Sequence, residues 1–182
     1  MIYVCKYIQK NSTMRKCIFL DRDGVINKDR VDYVYKEEDF ILLPGVAEAL
    51  IDLKSNGYLL IIITNQSGIA KGIFTHENVM EIHELVQKLC NNAIDDIYIA
   101  PYHESIHRSL SRKPGTLLFE KAIAKYEIDI ASSWMIGDKE RDLVPAKKLG
   151  LKTILVDNPK PSDYADFSVE GLKEAANKIL KQ

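Results

Sequence analysis

Two carboxylates at the end of an apolar run are the first residues in this sequence that could carry out chemistry. The run at residues 16–20 has the composition of a buried strand, and Asp21 and Asp23 follow it with Gly24 directly after. Residues two apart in extended backbone point the same way, and glycine permits a sharp turn. The pair therefore suits a hard cation and a carboxylate nucleophile. The alternative is a turn in which both aspartates bond only their own backbone.

Two more apolar runs are followed directly by polar residues, as the run at 16–20 is followed by Asp21. Residues 58–63 lead into Thr64, and residues 134–136 lead into Gly137 and Asp138. Ligands bind at the carboxyl ends of the strands in open α/β sheets, so we expect these groups to converge on one crevice. Taken alone, Thr64 could lie in a simple turn and Asp138 could be a helix cap.

The elements that must position these groups alternate along the chain. We predict strands at 16–20, 58–63, 97–100, 134–136, 152–156 and 167–169. We predict one helix that opens at 43–45 and stops at 56–57, one that runs from an N-cap at Thr75 to about 90, and three more at 116–126, 140–149 and 171–180. This alternation predicts an α/β class protein, a Rossmann-like three-layer α/β/α fold with a mainly parallel sheet. We expect a single domain over 1–182 with its core at about 16–180. We expect residues 1–13 to be an N-terminal extension or an extra strand, and both Met1 and Met14 stay open as the natural start.

Composition limits the partners. The 182 residues carry 25 basic and 26 acidic side chains, a net charge of −1, which favours a small substrate over nucleic acid or an anionic membrane. No apolar run approaches the length of a membrane span. Three cysteines without Cys-x-x-Cys spacing are typical of reduced thiols. We therefore expect a cytoplasmic protein, and a monomer.

The candidate residues together suit phosphoryl transfer. Asp21 and Asp138 offer the oxygen ligands that Mg²⁺ prefers, and a carboxylate that attacks phosphorus forms an acyl phosphate. Asp23 is then placed to protonate the leaving alkoxide and later to activate water. The Thr64 hydroxyl can bind phosphoryl oxygens, and Lys113 can offset the charge that develops on them. The alternative for Lys113 is an ordinary surface lysine.

Four strings in this order resemble the motifs of the haloacid dehalogenase superfamily of phosphotransferases. They are DRDGVIN at 21–27, TNQSGIAKG at 64–72, RKPG at 112–115 and IGDK at 136–139. The match spans about 16–157, and the longer strings are similar to the branch that hydrolyses heptose bisphosphates and histidinol phosphate. Neither of the first two motifs is followed by room for a large cap domain, so the resemblance implies a capless fold.

The resemblance also implies roles for single residues. Asp21 would be the nucleophile and Asp23 the acid/base, with Thr64 and Lys113 holding the transferred phosphoryl group. Mg²⁺ would be bound by the side chains of Asp21 and Asp138 and by the carbonyl of Asp23. The expected substrate-binding residues are Asp29, Arg30, Val31, Asp32, Asn65, Gln66, Ser67, Arg112 and Lys139. The role of Asp142, four residues after Asp138, stays open.

Arg112 and Lys139 favour a bisphosphate among the substrates of this branch. Thr64, Lys113 and Mg²⁺ would already hold the transferred phosphate. A second phosphate on the substrate would explain why Arg112 and Lys139 are also expected at the entrance of the site. The expected reaction is removal of the 7-phosphate of a heptose 1,7-bisphosphate, as in lipopolysaccharide precursor synthesis. Histidinol phosphate is the alternative, because Asp29 and Asp32 could bind its ammonium. A polynucleotide 3′-phosphatase and a non-catalytic binding protein on the same fold are the remaining classes.

One departure from the family pattern concerns zinc. Relatives of this type often carry Cys-x-His and Cys-x-Cys ligands immediately before the Arg-Lys-Pro motif. The matching positions here are Ala100, Tyr102, Ser109 and Ser111. None of these side chains offers the thiolate or imidazole that zinc sites in proteins use. We therefore expect Mg²⁺ as the cofactor and no zinc.

This departure gives a prediction about metal content. Protein purified without added metal is expected to contain well below one zinc per chain by elemental analysis, and brief incubation with zinc followed by desalting should not raise the value. One tightly bound zinc per chain would contradict the interpretation of this loop.

Overall fold

Six parallel strands form one sheet in the computed structural model, which describes residues 14–157 and 162–182. The strands are β1 (Cys17–Leu20), β2 (Leu59–Asn65), β3 (Asp96–Ala100), β4 (Trp134–Gly137), β5 (Lys152–Val156) and β6 (Phe167–Val169). The helices are α1 (Val46–Ser55), α2 (His76–Leu89), α3 (Leu117–Tyr126), α4 (Glu140–Leu149) and α5 (Leu172–Leu180). The order across the sheet is β3-β2-β1-β4-β5-β6.

Strand β1 lies between the two strands that carry the other candidate residues. Leu20 pairs with Ile62 in β2 on one side and with Ile136 in β4 on the other. The chain therefore leaves β1 at a point where the strand order reverses, which is where ligands bind in sheets of this kind. The sequence-based prediction of a Rossmann-like, mainly parallel α/β fold is confirmed.

Alternate side chains of the strands point to opposite faces of the sheet, and helices cover both. Ile18, Leu20 and Ile62 belong to a core built with α1, α2 and α5. Phe19 and Ile63 belong to a second core built with α3 and α4. Burial on both faces explains why these strands are continuous apolar runs without polar alternation.

Most predicted elements are confirmed, and the differences lie at their ends. Strand β2 extends beyond the predicted range of 58–63 through Thr64 and Asn65, because these residues pair with Ile99 and Ala100 of β3. Within 28–40, where no regular structure was expected, a short 3-10 turn spans Glu37–Asp39. The predicted N-terminal strand lies outside the described residues. None of the helices in the described ranges has the length and apolarity needed to cross a membrane.

Candidate active site

Asp21 lies at the centre of the carboxyl edge of the sheet. Its amide donates to the carbonyl of Ile136 at 3.0 Å, which continues the β1–β4 ladder one residue beyond the strand. Its carboxylate is 5% exposed and accepts from the backbone N–H of Arg22 at 2.8 Å and from Lys113 Nζ at 2.9 Å. The backbone and two donors therefore hold this carboxylate at the bottom of the crevice.

The Asp23 carboxylate is held by three side chains. The guanidinium of Arg22, itself buried, donates through Nη2 to both Asp23 oxygens at 2.8 and 3.0 Å and to the carbonyl of Val34 at 2.8 Å. Asn27 Nδ2 and Gln66 Nε2 each donate to an Asp23 oxygen at 2.9 Å. Arg22 is thus a positioning residue that connects Asp23 to the segment 28–40.

Two glycines make room for two more carboxylates. A Cβ on Gly24, whose φ is +90°, would lie 2.5 Å from Oδ2 of Asp138, and a Cβ on Gly137 would lie 2.4 Å from the Cβ of Asp142. Both contacts are far inside van der Waals distance, so any side chain at either glycine would displace a carboxylate. The glycines of the first and last motifs therefore serve the site through the space they leave.

Lys113 brings the third motif into the centre. Its ammonium is 1% exposed and lies 2.9 Å from Asp21 and 2.7 Å from Asp142, and it donates to the carbonyl of Ile63 at 2.6 Å. The side chain of Asn65 fixes the backbone on which Lys113 is carried, because it accepts from the Lys113 N–H at 3.0 Å and donates to the Lys113 carbonyl at 3.1 Å. Lys113 is thus a buried cation between two carboxylates.

The negative charge in this centre exceeds what Lys113 neutralises. Burial raises the pKa of Asp21 to about 7, with Lys113 opposing the shift and neighbouring carboxylates adding to it. Burial and then Asp142 raise the pKa of Asp138. Burial alone would lower the pKa of the Lys113 ammonium, but Asp142 and Asp21 raise it. Lys113 is therefore charged, and the carboxylates around it carry enough negative charge to bind a further cation.

Oxygen atoms of Asp21, Asp138 and Asp142 lie within 4.8 Å of one another. Asp142 is engaged elsewhere as well, since its Oδ2 accepts from the backbone N–H of Lys139 at 3.1 Å and its other oxygen contacts Lys113. We therefore assign Asp142, whose role the sequence left open, to holding Lys113. Asp21 and Asp138 remain as the carboxylates best placed for a metal.

A cavity of about 300 Å³ opens above Asp21 and Asp23. Of the predicted substrate-binding residues, seven line it: Asp29, Arg30, Val31, Asn65, Ser67, Arg112 and Lys139. The cavity volume is at the lower end of the range for small-molecule sites. The structure therefore brings most of the predicted set to one concave surface beside the carboxylates.

Two residues of the predicted substrate set do not line this cavity. Gln66 is buried beneath it, where Nε2 donates to Asp23 and, at 2.9 Å, to the hydroxyl of Thr64. The exposed Asp32 carboxylate pairs with Arg30 Nη2 at 3.0 Å. Gln66 therefore supports Asp23 and Thr64 from beneath the cavity, and Asp32 pairs with Arg30 at its edge.

The segment 28–40 is a flap that packs on the loop after β2. Tyr35 stacks on Phe74 with ring centroids 5.1 Å apart, and Tyr33 meets the same ring edge-on at 5.5 Å. A Cβ on Gly68 would lie 2.0 Å from the Phe74 ring, so this glycine lets Phe74 pack inward. Lys71 Nζ adds a hydrogen bond of 2.9 Å to the Tyr33 hydroxyl. The flap is therefore attached to the second motif.

Comparison with known proteins identifies the family of this site. A HAD-hydrolase-like family model matches residues 110–175. A D-glycero-beta-D-manno-heptose-1,7-bisphosphate 7-phosphatase of Haemophilus ducreyi is 37% identical over 171 residues, which cover 88% of this chain and 91% of the relative. A Photorhabdus laumondii protein of the same name is 41% identical over 174 residues, which cover 90% and 88% of the two chains.

A solved structure agrees with these relatives. The D,D-heptose 1,7-bisphosphate phosphatase of B. bronchiseptica, complexed with magnesium and phosphate, superposes on this chain with a TM-score of 0.83 at 28% sequence identity. The matched region covers 91% of this chain and 98% of the B. bronchiseptica chain. The chain belongs to the haloacid dehalogenase-like hydrolases. It is a phosphoric monoester hydrolase.

Sequence reasoning missed several residues that this hydrolase brings to its cavity. Tyr33, Lys71, His103 and Arg141 also line it, and Arg22 supports it from below. Lys71 and Arg22 lie inside the motif strings that resemble the family, so their place in those strings could have marked them as site residues. Tyr33 and His103 lie in loops whose three-dimensional course depends on tertiary packing. Arg141 lies at the start of the predicted helix at 140–149, but no local pattern shows that its side chain lines the cavity.

Hydrogen bonds connect side chains in the loop at 100–111, where the family resemblance would have placed zinc ligands. The hydroxyls of Ser109 and Ser111 lie 2.8 Å apart, and the N–H of Ser111 donates to the Ser109 hydroxyl at 3.2 Å. His103 Nδ1 is within 2.6 Å of the Ser105 hydroxyl. Such local bonds can order a loop that precedes the Arg112–Lys113 motif.

The Arg22 contacts give a prediction about stability. Arg22→Met removes a buried guanidinium that holds Asp23 and the flap carbonyl of Val34, so the free energy of unfolding in urea should fall by about 1.5–3 kcal/mol. Hydrogen exchange in residues 28–40 should become faster. Arg30→Met is the matched control, since this arginine also pairs with aspartate but is exposed, and its loss should lower the free energy of unfolding much less. Equal effects of the two substitutions would contradict the assignment.

Proposed function

We propose that this phosphatase removes the 7-phosphate of D-glycero-D-manno-heptose 1,7-bisphosphate, a step in making activated heptose for lipopolysaccharide, and that it works as one domain over 1–182. The observation that carries the proposal is the cluster of Asp21, Asp138 and Lys113 beneath a cavity rimmed by basic side chains. Relatives that cover nine-tenths of the chain bear the name of this activity, which supports the choice of substrate.

Mg²⁺ is the proposed cofactor, held by the side chains of Asp21 and Asp138 and the carbonyl of Asp23. The donor set fits, because hard carboxylate oxygens lie within 4.8 Å of one another and Gly24 leaves the space beside Asp138 open. When bound, the ion would supply positive charge against the phosphoryl oxygens. The B. bronchiseptica enzyme was solved with magnesium and phosphate, which supports the same choice here.

The proposed reaction has two displacements at phosphorus. A carboxylate oxygen of Asp21 attacks phosphorus to form an aspartyl phosphate, and the bond from phosphorus to the sugar O7 breaks as O7 takes a proton from the Asp23 carboxyl. The Asp23 carboxylate then takes a proton from water while that water attacks phosphorus, and the bond to Asp21 breaks to release phosphate. The Asp23 side chain is 20% exposed and lines the cavity, so it can reach both the leaving group and water.

The transferred phosphoryl group would be stabilised by Lys113 and Thr64. Lys113 is charged and already fixed between Asp21 and Asp142, so it needs no reorganisation when charge develops on the phosphoryl oxygens. Thr64 is fixed by Gln66 at the end of β2. Preorganised donors of this kind contribute most to electrostatic stabilisation of a transition state.

A heptose bisphosphate fits the charges of the cavity better than histidinol phosphate does. The ammonium of histidinol phosphate would need a carboxylate, but Asp29 is engaged by Lys139 at 2.6 Å and Asp32 by Arg30 at 3.0 Å. Arg112, by contrast, lines the cavity and can bind a second phosphate bidentately. The net charge of −1 argues against a polynucleotide substrate.

The nucleophile and acid/base assignments predict different losses of activity. Asp21→Asn should reduce turnover of the bisphosphate below detection, because an amide cannot form the acyl phosphate. Asp23→Asn should reduce kcat by about 10²–10⁴-fold. Asp52→Asn, an exposed aspartate on α1, is the matched control and should keep full activity. Turnover by Asp21→Asn near the unmodified rate, or activity that resists a chelator, would refute the mechanism.

The substrate assignment predicts selective loss on removing Arg112. Arg112→Ala should lower kcat/KM for the heptose bisphosphate far more than for p-nitrophenyl phosphate, since only the bisphosphate carries a remote anion. Steady-state kinetics with both substrates and with histidinol phosphate provide the measurement. Equal losses on the first two substrates, or faster hydrolysis of histidinol phosphate by the unmodified enzyme, would overturn the assignment.

A further inference from the structure

Lys139, which the sequence suggested as a second cation for the remote phosphate, has other partners. Its ammonium lies 2.6 Å from Asp29 in the flap and 3.1 Å from Asp138. Those carboxylates raise its pKa, opposing the effect of burial. Lys139 therefore joins the flap to the metal-ligand region, and binding a phosphate would require it to leave both aspartates.

The other basic side chains of the cavity differ in whether a carboxylate or another group already binds them. Arg30 is paired with Asp32 and Asp39, and Lys71 donates to the hydroxyl of Tyr33. The guanidinium of Arg112 is fixed by a neutral group, since Nη1 donates to the carbonyl of Tyr102 at 3.2 Å. Arg112 therefore has positive charge that no carboxylate neutralises through a hydrogen bond or ion pair in 14–157 and 162–182.

Arg141 is a second cavity side chain whose positive charge no carboxylate neutralises through a hydrogen bond or ion pair in the described residues. It lies in the first turn of α4 and lines the same cavity as Asp21 and Arg112. Within the described parts of the chain it has neither a hydrogen bond nor an ion pair. Burial and then the charge of Arg141 lower the pKa of Arg112, as expected for two guanidinium groups that face a common space. Two cations that repel each other across a cavity are stabilised together when a dianion binds between them.

We propose that Arg141 is a specificity-determining residue that, with Arg112, binds the phosphate which is not hydrolysed. This inference rests on the proposed function and deepens it, because it names the groups that select a sugar bisphosphate over a monophosphate. Arg112 approaches from the loop before α3 and Arg141 from α4, so the remote phosphate would be held from two sides. Lys139 keeps its place between Asp29 and Asp138.

The test removes the charge of Arg141 and leaves its neighbours intact. Arg141→Gln should lower kcat/KM for heptose 1,7-bisphosphate by about 10- to 100-fold, the range expected for losing a charge-assisted contact. The same substitution should change kcat/KM for p-nitrophenyl phosphate by less than about 2-fold, since this substrate has no remote phosphate. Arg141→Lys should recover part of the loss. Lys148→Gln is the matched control, since it removes one charge from an exposed position of the same helix, and should leave both substrates unaffected.

A binding measurement separates recognition from turnover. The product that keeps the remote phosphate, heptose 1-phosphate, should bind Arg141→Gln at least about 10-fold more weakly by titration calorimetry, whereas inorganic phosphate should bind as in the unmodified enzyme. Unchanged product affinity with unchanged kcat/KM would overturn the role of Arg141.

The same experiment distinguishes this inference from the proposed function. If the unmodified enzyme hydrolyses heptose 1,7-bisphosphate and Arg141→Gln does so equally well, the substrate stands and the Arg141 inference fails. If the enzyme instead prefers another sugar bisphosphate, the assigned substrate fails. The Arg141 inference then survives only if Arg141→Gln still loses activity selectively on that bisphosphate relative to its monophosphate.

Discussion

The contact of the buried Lys113 ammonium with Asp21 and Asp142 is the interaction on which the rest of the site depends. A charge that is removed from water is tolerated only when opposite charges and hydrogen bonds surround it, and removing one partner of such a pair typically costs about 3–5 kcal/mol. Lys113 also donates to the carbonyl of Ile63, so one side chain joins β1, β2, α4 and the loop before α3. The geometry of the Asp21 carboxylate and the folding of the sheet edge therefore depend on the same atoms.

The packing around this centre shows why each motif needs its particular small residues. Gly24 and Gly137 leave the volumes that Asp138 and Asp142 occupy, and Gly68 leaves the volume for Phe74. A Cβ at Gly24 or Gly137 would overlap one of these aspartate side chains, so both positions require glycine. The family resemblance therefore reflects a steric requirement as much as a chemical one.

Much of the architecture could be predicted from sequence, because burial of the strands on both faces produces continuous apolar runs that end at the polar motif residues. The directions of individual side chains could not. Gln66 turns toward Asp23 because its N–H continues the ladder to the carbonyl of Ala100, and only the pairing of β2 with β3 decides that. Lys139 and Asp29 are 110 positions apart in the chain, so their contact required the folded flap. Local patterns thus located the site, whereas tertiary packing decided which cations remained available.

The aromatic contacts of the flap with Phe74, together with the hydrogen bond from Arg22 to Val34, have a consequence for the thermodynamics of binding. Ordering a loop when a ligand arrives reduces affinity, because its conformational entropy is lost at that moment. Here the loss of flap entropy occurs largely during folding, when Tyr33 and Tyr35 pack against the loop after β2. The substrate then meets a surface that is already formed, and more of its intrinsic binding energy remains for orienting the reacting phosphate.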